Sequence, residues 1–512
     1  MQGTFWALLP SIVAIVLSLI TKEVYISLFS GIIVGALLFT NFNVLETIDM
    51  VFTVMTESIY GGGTNIRIVL FLIILGTIVV LVTKSGASVA YGKWASKKIK
   101  NKKTALLSTF FFASMLFIDD YFSCLTTGHV MRPITDKNKV SRAKLAYVVD
   151  STAVPMCILI PLSSWTAAIS SSLTESGAHD GFSFFIRTIP YNIYAILTII
   201  MVITVSLFNI DFSSMLKHET NAMNGDLTSS DVEEFSEEVH IENKRGKVFD
   251  LIAPILSLII CCVLGLLYTG GILNGNVNIL EAFSHCNSSK GLLMGSFVSL
   301  IITSIIYVPR KVISFKNFVG SIAEGFKEMS SAIIVLAMAW TLGNITQDYL
   351  KAGILISSIV KNHAASSAFI PVIIFILAAI LSFSTGTSWG TFAMFIPIAY
   401  PLFPPDNELL VITIAAVLAG SVFGDHVSPI SDTTIMAATG TKCSVINHIS
   451  TKLPYALLIA CISASGFILA GFIRNPFIVL AISIALLYLT LFAIKVFSES
   501  FSKTGRGGRS PD

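Results

Sequence analysis

The sequence FIDDYFSCLTTG (117–128) sets two adjacent carboxylates, Asp119 and Asp120, in the middle of an apolar stretch that runs over 104–131. An acid at the centre of a membrane helix costs at least about 2.5–3.5 kcal/mol and marks a functional position by default. Two neighbouring acids cannot share one helix face. At a hairpin tip, however, one can face a cavity while the other ties down the turn. The flanks force that hairpin. Residues 84–103 carry seven Lys, and 132–144 carry five Lys or Arg. Basic loops stay in the cytoplasm, so 104–131 enters and returns from the same side, with its tip near Asp119 and Asp120. Non-helical backbone at membrane depth is tolerated only where protein or a water-filled cavity surrounds it.

The rest of the chain supports a membrane setting. Of 512 residues, 54% are hydrophobic and 12% charged, with a mean hydropathy of +0.81. Soluble domains run at about 45–50% apolar and about 25% charged. A soluble enzyme, a disordered protein and a nucleic-acid binder are therefore excluded, and nucleic acid is no partner. Full spans are expected over 5–20, 24–41, 66–83, 184–208, 249–269, 291–308, 331–347, 454–474 and 476–494. The first reads as a retained span because it lacks a basic leader. Further basic segments occur at Arg310, Lys311, Lys316 and Lys327 and in the tail from Lys495. Placing every basic loop inside puts the N-terminus outside and the C-terminus in the cytoplasm. Of the 33 Lys and Arg, that leaves Arg67, Arg187, Lys290, Lys351, Lys361 and Arg474 on the other side. Seven cysteines form no CxxC pair or His-spaced cluster, so neither a disulfide framework nor a zinc site is indicated.

A second hairpin is expected over 369–400, entering from outside, with its tip at Ser384-Thr385-Gly386-Thr387-Ser388-Trp389-Gly390. The two halves align with near-constant offsets. HVMRPI (129–134) matches AMFIPI (393–398), IPLSSWT (160–166) matches SPISDTT (428–434), and TIPYN (188–192) matches KLPYA (452–456). The repeats, 65–205 and 330–470, have opposite orientation in the topology above. Inverted repeats with broken elements are a mark of secondary transporters, with cargo bound where the repeats meet. No Walker-type phosphate loop is present, so ATP-driven transport is unsupported.

Each repeat also carries a broken helix. The first spans 143–171, with Asp150-Ser151-Thr152 and Pro155, then Pro161 and Ser163-Ser164-Trp165. The second spans 408–438 and contains Gly424-Asp425-His426-Val427-Ser428-Pro429-Ile430-Ser431-Asp432-Thr433-Thr434. Proline breaks the helix and frees backbone carbonyls. Acids, hydroxyls and freed carbonyls together form an oxygen-rich site suited to a hard cation, without the Cys or clustered His of a soft-metal site. His426 is either a proton carrier or a hydrogen-bonded structural partner, and Asp150 and Asp432 are either cation ligands or acids that tie down broken backbone. Desolvation favours the protonated form of a carboxylate, whereas a bound sodium ion favours the ionised form. One acid can thus hold a proton or sodium but not both, which is sufficient for coupled exchange.

The segments FIDDYFSCLTTGHVMRPITDKNKVSRAKLAYVVDSTA (117–153), SFSTGTSWGTF (382–392) and GDHVSPISDTT (424–434) together resemble the NhaC-type sodium/proton antiporter family. The resemblance covers about 60–470. It implies opposed hairpins in a transport domain that moves past a scaffold. It also implies that Asp119, Asp120, Asp150, Asp425 and Asp432 lie near the transport path. The same family includes malate/lactate exchangers and amino-acid carriers, so the cargo is left open by the resemblance.

The expected architecture is an all-α polytopic membrane protein with two inverted repeats, opposed re-entrant hairpins and broken helices. Residues 1–60, 249–308 and 331–347 are expected scaffold, with 66–83 a further candidate. Residues 209–247 form a cytoplasmic linker, acidic and then basic, and 476–512 the last span and a basic tail. The expected activity is antiport of sodium against protons in a bacterial cell membrane, with no cofactor. The expected site comprises Asp119, Asp120, Ser123, Asp150, Ser151, Thr152, Ser163, Ser164, Thr385, Gly386, Thr387, Ser388, Asp425, His426, Ser428, Ser431 and Asp432. Asp120 and Asp425 are the expected sodium and proton carriers, with Thr387, Ser388, Ser428 and Ser431 as neutral sodium ligands. The partners expected are the lipid bilayer, sodium and protons. A homodimer is the assembly to test. Three rivals remain: an antiporter for a small organic solute, a channel, and a membrane-embedded magnesium-dependent enzyme, for which Asp136 is a poor second acid.

Overall fold

The computed structural model describes residues 4–504, apart from 22, 230–245, 275–281, 283–285, 352–363 and 430. Backbone buried in hydrocarbon must satisfy its own hydrogen bonds, and the chain does so with helices. In chain order these are α1 (Leu9–Thr21), α2 (Val24–Phe39), α3 (Val44–Tyr60), α4 (Thr64–Ser85), α5 (Ala87–Lys98), α6 (Lys102–Met115) and α7 (Asp120–Lys137). Next come α8 (Arg142–Leu159), α9 (Ser164–Glu175), α10 (Gly181–Thr188), α11 (Ile193–Phe208), α12 (Ser213–Met223), α13 (Val248–Thr269) and α14 (Ser288–Tyr307). The chain continues as α15 (Phe315–Asn344), α16 (Ile370–Thr385), α17 (Ser388–Ala399), α18 (Glu408–Val427), α19 (Asp432–Thr441), α20 (Val445–Ile473) and α21 (Pro476–Thr504). Eight helices among the described residues are long and apolar enough to cross a membrane, or nine if α8 and α9 count as one bent span.

Helix ends fall inside each of the four segments 104–131, 143–171, 369–400 and 408–438. The helices α6 and α7 fold back on each other around residues 116–119, and Ser123 of α7 donates its hydroxyl to the Ala113 carbonyl of α6. The α16–α17 turn needs left-handed backbone at Gly386 (φ +66°), which glycine adopts without strain. The axes of α8 and α9 differ by 45° across the break at residues 160–163. The break between α18 and α19 follows Val427. Helix α18 is the centre of the molecule. Its apolar window is 94% buried, against 39% for α13 at the periphery. The helices α8, α11, α16, α17 and α20 pack around it. In a second group α2, α3 and α4 pack on the 30-residue α15, and α13 and α14 pack on each other and on α4.

Three segments differ from expectation. The region 310–330 was expected as a basic loop before a span beginning at 331. Ser314 caps α15 by accepting from the Asn317 amide (3.2 Å), so the helix begins at Phe315 and runs without a break to Asn344. The first part of the expected linker, α12, is docked. Glu219 is 3% exposed, accepts from the Ser141 amide (2.8 Å) and pairs with Lys102. The acidic remainder lies largely in 230–245, outside the described residues. Finally, 44–60, which was given no element of its own, forms α3, capped at its start by Asn43.

Candidate functional site

Four helices begin at the centre of the molecule, and each starts on a capping side chain. Asp119 caps α7, accepting from the Phe122 amide (2.9 Å). Ser163 caps α9, accepting from the Thr166 amide (3.2 Å). Thr387 caps α17 through the Gly390 amide (3.3 Å), and Ser431 caps α19 through the Thr434 amide (3.3 Å). Such caps satisfy otherwise orphaned amides, and the positive helix ends they mark favour nearby carboxylates. Cross-contacts knit the four starts together. Ser164 donates to Asp119 (3.5 Å), and Tyr121 donates to Asp432 (3.5 Å). Trp165 of α9 meets Trp389 of α17 edge-on, with ring centroids 5.9 Å apart.

Asp120 and Asp425 are buried here, 1% and 3% exposed. Thr433 donates to one oxygen of Asp425 (3.2 Å). The Oδ1 atoms of both acids lack a hydrogen-bond partner among the described residues, as do the indole Nε1 atoms of Trp165 and Trp389 and Nε2 of His426. Buried polar groups are nearly always satisfied by protein or by something bound. The arrangement therefore offers two carboxylate oxygens to a small ligand, cation or proton.

The structure divides the other expected residues. Ser388 donates to the Ser421 carbonyl (3.1 Å), and Ser428 donates to the Phe383 carbonyl (2.7 Å), so both fasten α18 to the second hairpin. Ser163 also donates to the Cys157 carbonyl (2.5 Å). Thr152 and Thr385 donate to Val148 and Leu381, one turn back in their own helices. Ser151 is buried beside Asp150 in α8. His426 Nδ1 sits 3.1 Å from the Tyr194 hydroxyl.

Asp150 belongs to a separate cluster. Its Oδ2 accepts from His448 (2.9 Å) and Thr434 (3.4 Å) and forms an ion pair with Lys452, which also donates to Thr434 (3.1 Å). All of these side chains are buried. Lys452 and His448 were not among the expected site residues. Their spacing of four residues, on one helical face, was the available signal. Tyr121, Trp165 and Thr433 were also missed, although each lies inside a segment quoted above.

A cavity of about 240 Å³ leads to Asp119. Its walls are α4 and α15 on one side and α7 with Met436 of α19 on the other, and it includes Thr83, Tyr121, Thr126, His129 and Glu328. Lys84 and Glu324, paired at 2.5 Å, stand at this end of the cavity. Glu324 and Glu328 are one helical turn apart and were also missed, because the segment was read as a basic loop.

Comparison with known proteins bears on the family and the fold. The model of the Na+/H+ antiporter family matches residues 176–472. The chain belongs to the Na+/H+ antiporter family. An uncharacterized Haemophilus influenzae protein is 38% identical over 96% of both chains. The malate-2H(+)/Na(+)-lactate antiporter of Bacillus subtilis is 30% identical over 34% of this chain and 37% of its own. Among solved structures, the Neisseria gonorrhoeae efflux pump MtrF superposes with a TM-score of 0.53 at 13% identity, covering 83% of this chain and 84% of that one. That likeness concerns the fold alone. This family member is thus a helical multi-pass membrane transporter, as its composition and the resemblance implied.

Proposed function

We propose that the protein exports sodium from the cytoplasm in exchange for external protons. The observation that carries this reading is that Asp120 and Asp425 are both buried, each with one oxygen that accepts no hydrogen bond and neither in an ion pair among the described residues. Desolvation favours the protonated form of a carboxylate, so a proton is retained until a cation replaces it. Asp150 takes no part in the exchange, because Lys452 already supplies its counter-charge. The two hairpins and two broken helices form the moving body, and the helices gathered on α15 form the scaffold. Basic loops inside put the Lys84 end of the cavity toward the cytoplasm and the C-terminus on the same side.

A second reading, sodium-coupled exchange of a small organic acid, is favoured by the similarity to the malate/lactate antiporter. The surplus of acids over bases along the cavity, Asp119, Glu324 and Glu328 against Lys84, disfavours an anion there. Proteoliposomes with an imposed pH gradient and an internal pH dye test both. Sodium alone collapses the gradient with the natural protein and not with Asp425→Asn on the first reading. If malate or lactate is needed as well as sodium, the second reading replaces the first.

A further inference from the structure

The helix α15 passes two openings. Midway along it Glu328 and Met329 line the large cavity. Near its C-terminal end, Ala339, Trp340 and Gly343 line a cleft of about 10 Å³. Glu328 and Gly343 are separated by about 22 Å along a helix rising 1.5 Å per residue, most of the about 30 Å hydrocarbon thickness. The openings are built alike. The cavity is walled by α7, the return limb of the first hairpin, and by α19, the distal half of the second broken helix. The cleft is walled by α17, the return limb of the second hairpin, and by α9, the distal half of the first broken helix. One is open and the other shut.

A buried polar network shuts it. Asn65 of α4 donates to Glu175 of α9 (2.8 Å) and to the Ser58 carbonyl of α3 (2.8 Å), and accepts from Ser171 of α9 (2.8 Å). Asn344 at the end of α15 donates to the Ser58 hydroxyl (2.9 Å). The two bonds between Asn65 and α9 cross from the scaffold group to the moving body, and the two to Ser58 hold Asn65 and Asn344 against α3 within the scaffold. At the open cavity the Lys84–Glu324 pair joins α4 to α15 only, within one wall. The Ser172 hydroxyl and the Trp340 indole N–H line the cleft, each 2% exposed and without a partner among the described residues. Such groups are suited to wetting once the walls part.

We propose that this cleft is the external mouth of the cation path and that the Asn65–Glu175 bond is its latch, closed while the internal cavity is open. Breaking the latch opens the cleft to water and closes the cavity. The identity of the cargo as a monovalent cation rests on the antiport reading above, but the movement does not.

The test is labelling of full-length protein in right-side-out membrane vesicles with a charged, membrane-impermeant maleimide, in a background where Cys461 and Cys261 are serine. Ser172→Cys reports the cleft from outside. Thr126→Cys reports the cavity in inside-out vesicles. With the latch intact, Thr126→Cys reacts and Ser172→Cys is protected. Asn65→Ala speeds labelling of Ser172→Cys about tenfold and slows that of Thr126→Cys, the scale of a lost hydrogen bond to a charged group. Glu175→Ala, which removes the same bond from the opposite wall, has the same two effects and guards against a folding defect peculiar to one variant. Unchanged labelling of Ser172→Cys in both variants, or a joint rise at both positions, overturns the proposal. Opposite shifts without sodium-driven proton flux retain the latch and reject the sodium reading.

Discussion

Five intramembrane acids stand out in the sequence, and the structure separates them by their partners. Asp150 is neutralised by Lys452, Asp119 caps a helix, Asp432 is bound by Tyr121, and Asp120 and Asp425, which like Asp150 keep one unused oxygen, form no ion pair among the described residues. The sequence shows which acids are anomalous, because an acid in an apolar run is conspicuous. It does not show which are satisfied, because the partner of Asp150, Lys452, is 302 positions away. Lys452→Met alone should destabilise the purified protein by about 3–5 kcal/mol, since it strands a buried charge. Adding Asp150→Asn should recover most of that loss. Thermal unfolding in detergent checks both, and a double variant no more stable than Lys452→Met would show that Asp150 and Lys452 are not a pair. On transport, Asp425→Asn should abolish sodium-driven proton flux, whereas the double variant retains a measurable part of it.

At the scale of elements, the helix ends inside those four segments were legible. Charge on both flanks forced the first hairpin, and proline, glycine and hydroxyl clusters marked the rest. Helix caps such as Ser163 and Ser431 fall at the expected breaks. The unbroken α15 and the docked α12 were not legible, because lysines on a helix and lysines in a loop read alike until burial is known. One crossing joins the two halves of the chain. A Cβ at Gly128 of α7 would lie 2.7 Å from the Gly440 carbonyl carbon of α19, too close for any side chain. Gly128→Ala should therefore push these helices apart, at about 1–3 kcal/mol for overpacking, and lower the melting temperature. An unaltered melting temperature would place the crossing elsewhere.

For the whole molecule, a cavity opens beside the middle of α15 and a closed cleft lies near its C-terminal end. The acids of the cavity should concentrate cations there. Glu328 forms no ion pair among the described residues. Glu328→Gln should raise the sodium KM roughly fivefold, the worth of about 1 kcal/mol of Coulomb attraction. The effect should be confined to sodium added on the cytoplasmic side. Equal changes from both sides in oriented vesicles would indicate a structural role instead. Neither the cavity nor the cleft was legible in the sequence, because each is lined by α15 together with helices from opposite halves of the chain.

The central claim is that sodium and protons compete for Asp120 and Asp425. It is tested most directly by adding sodium to the purified protein in weakly buffered detergent and following released protons with a pH indicator. The natural protein should release protons in a saturable, sodium-dependent manner, and the Asp120→Asn/Asp425→Asn variant should release none. Equal release by that variant, at the same sodium concentrations, would contradict the account.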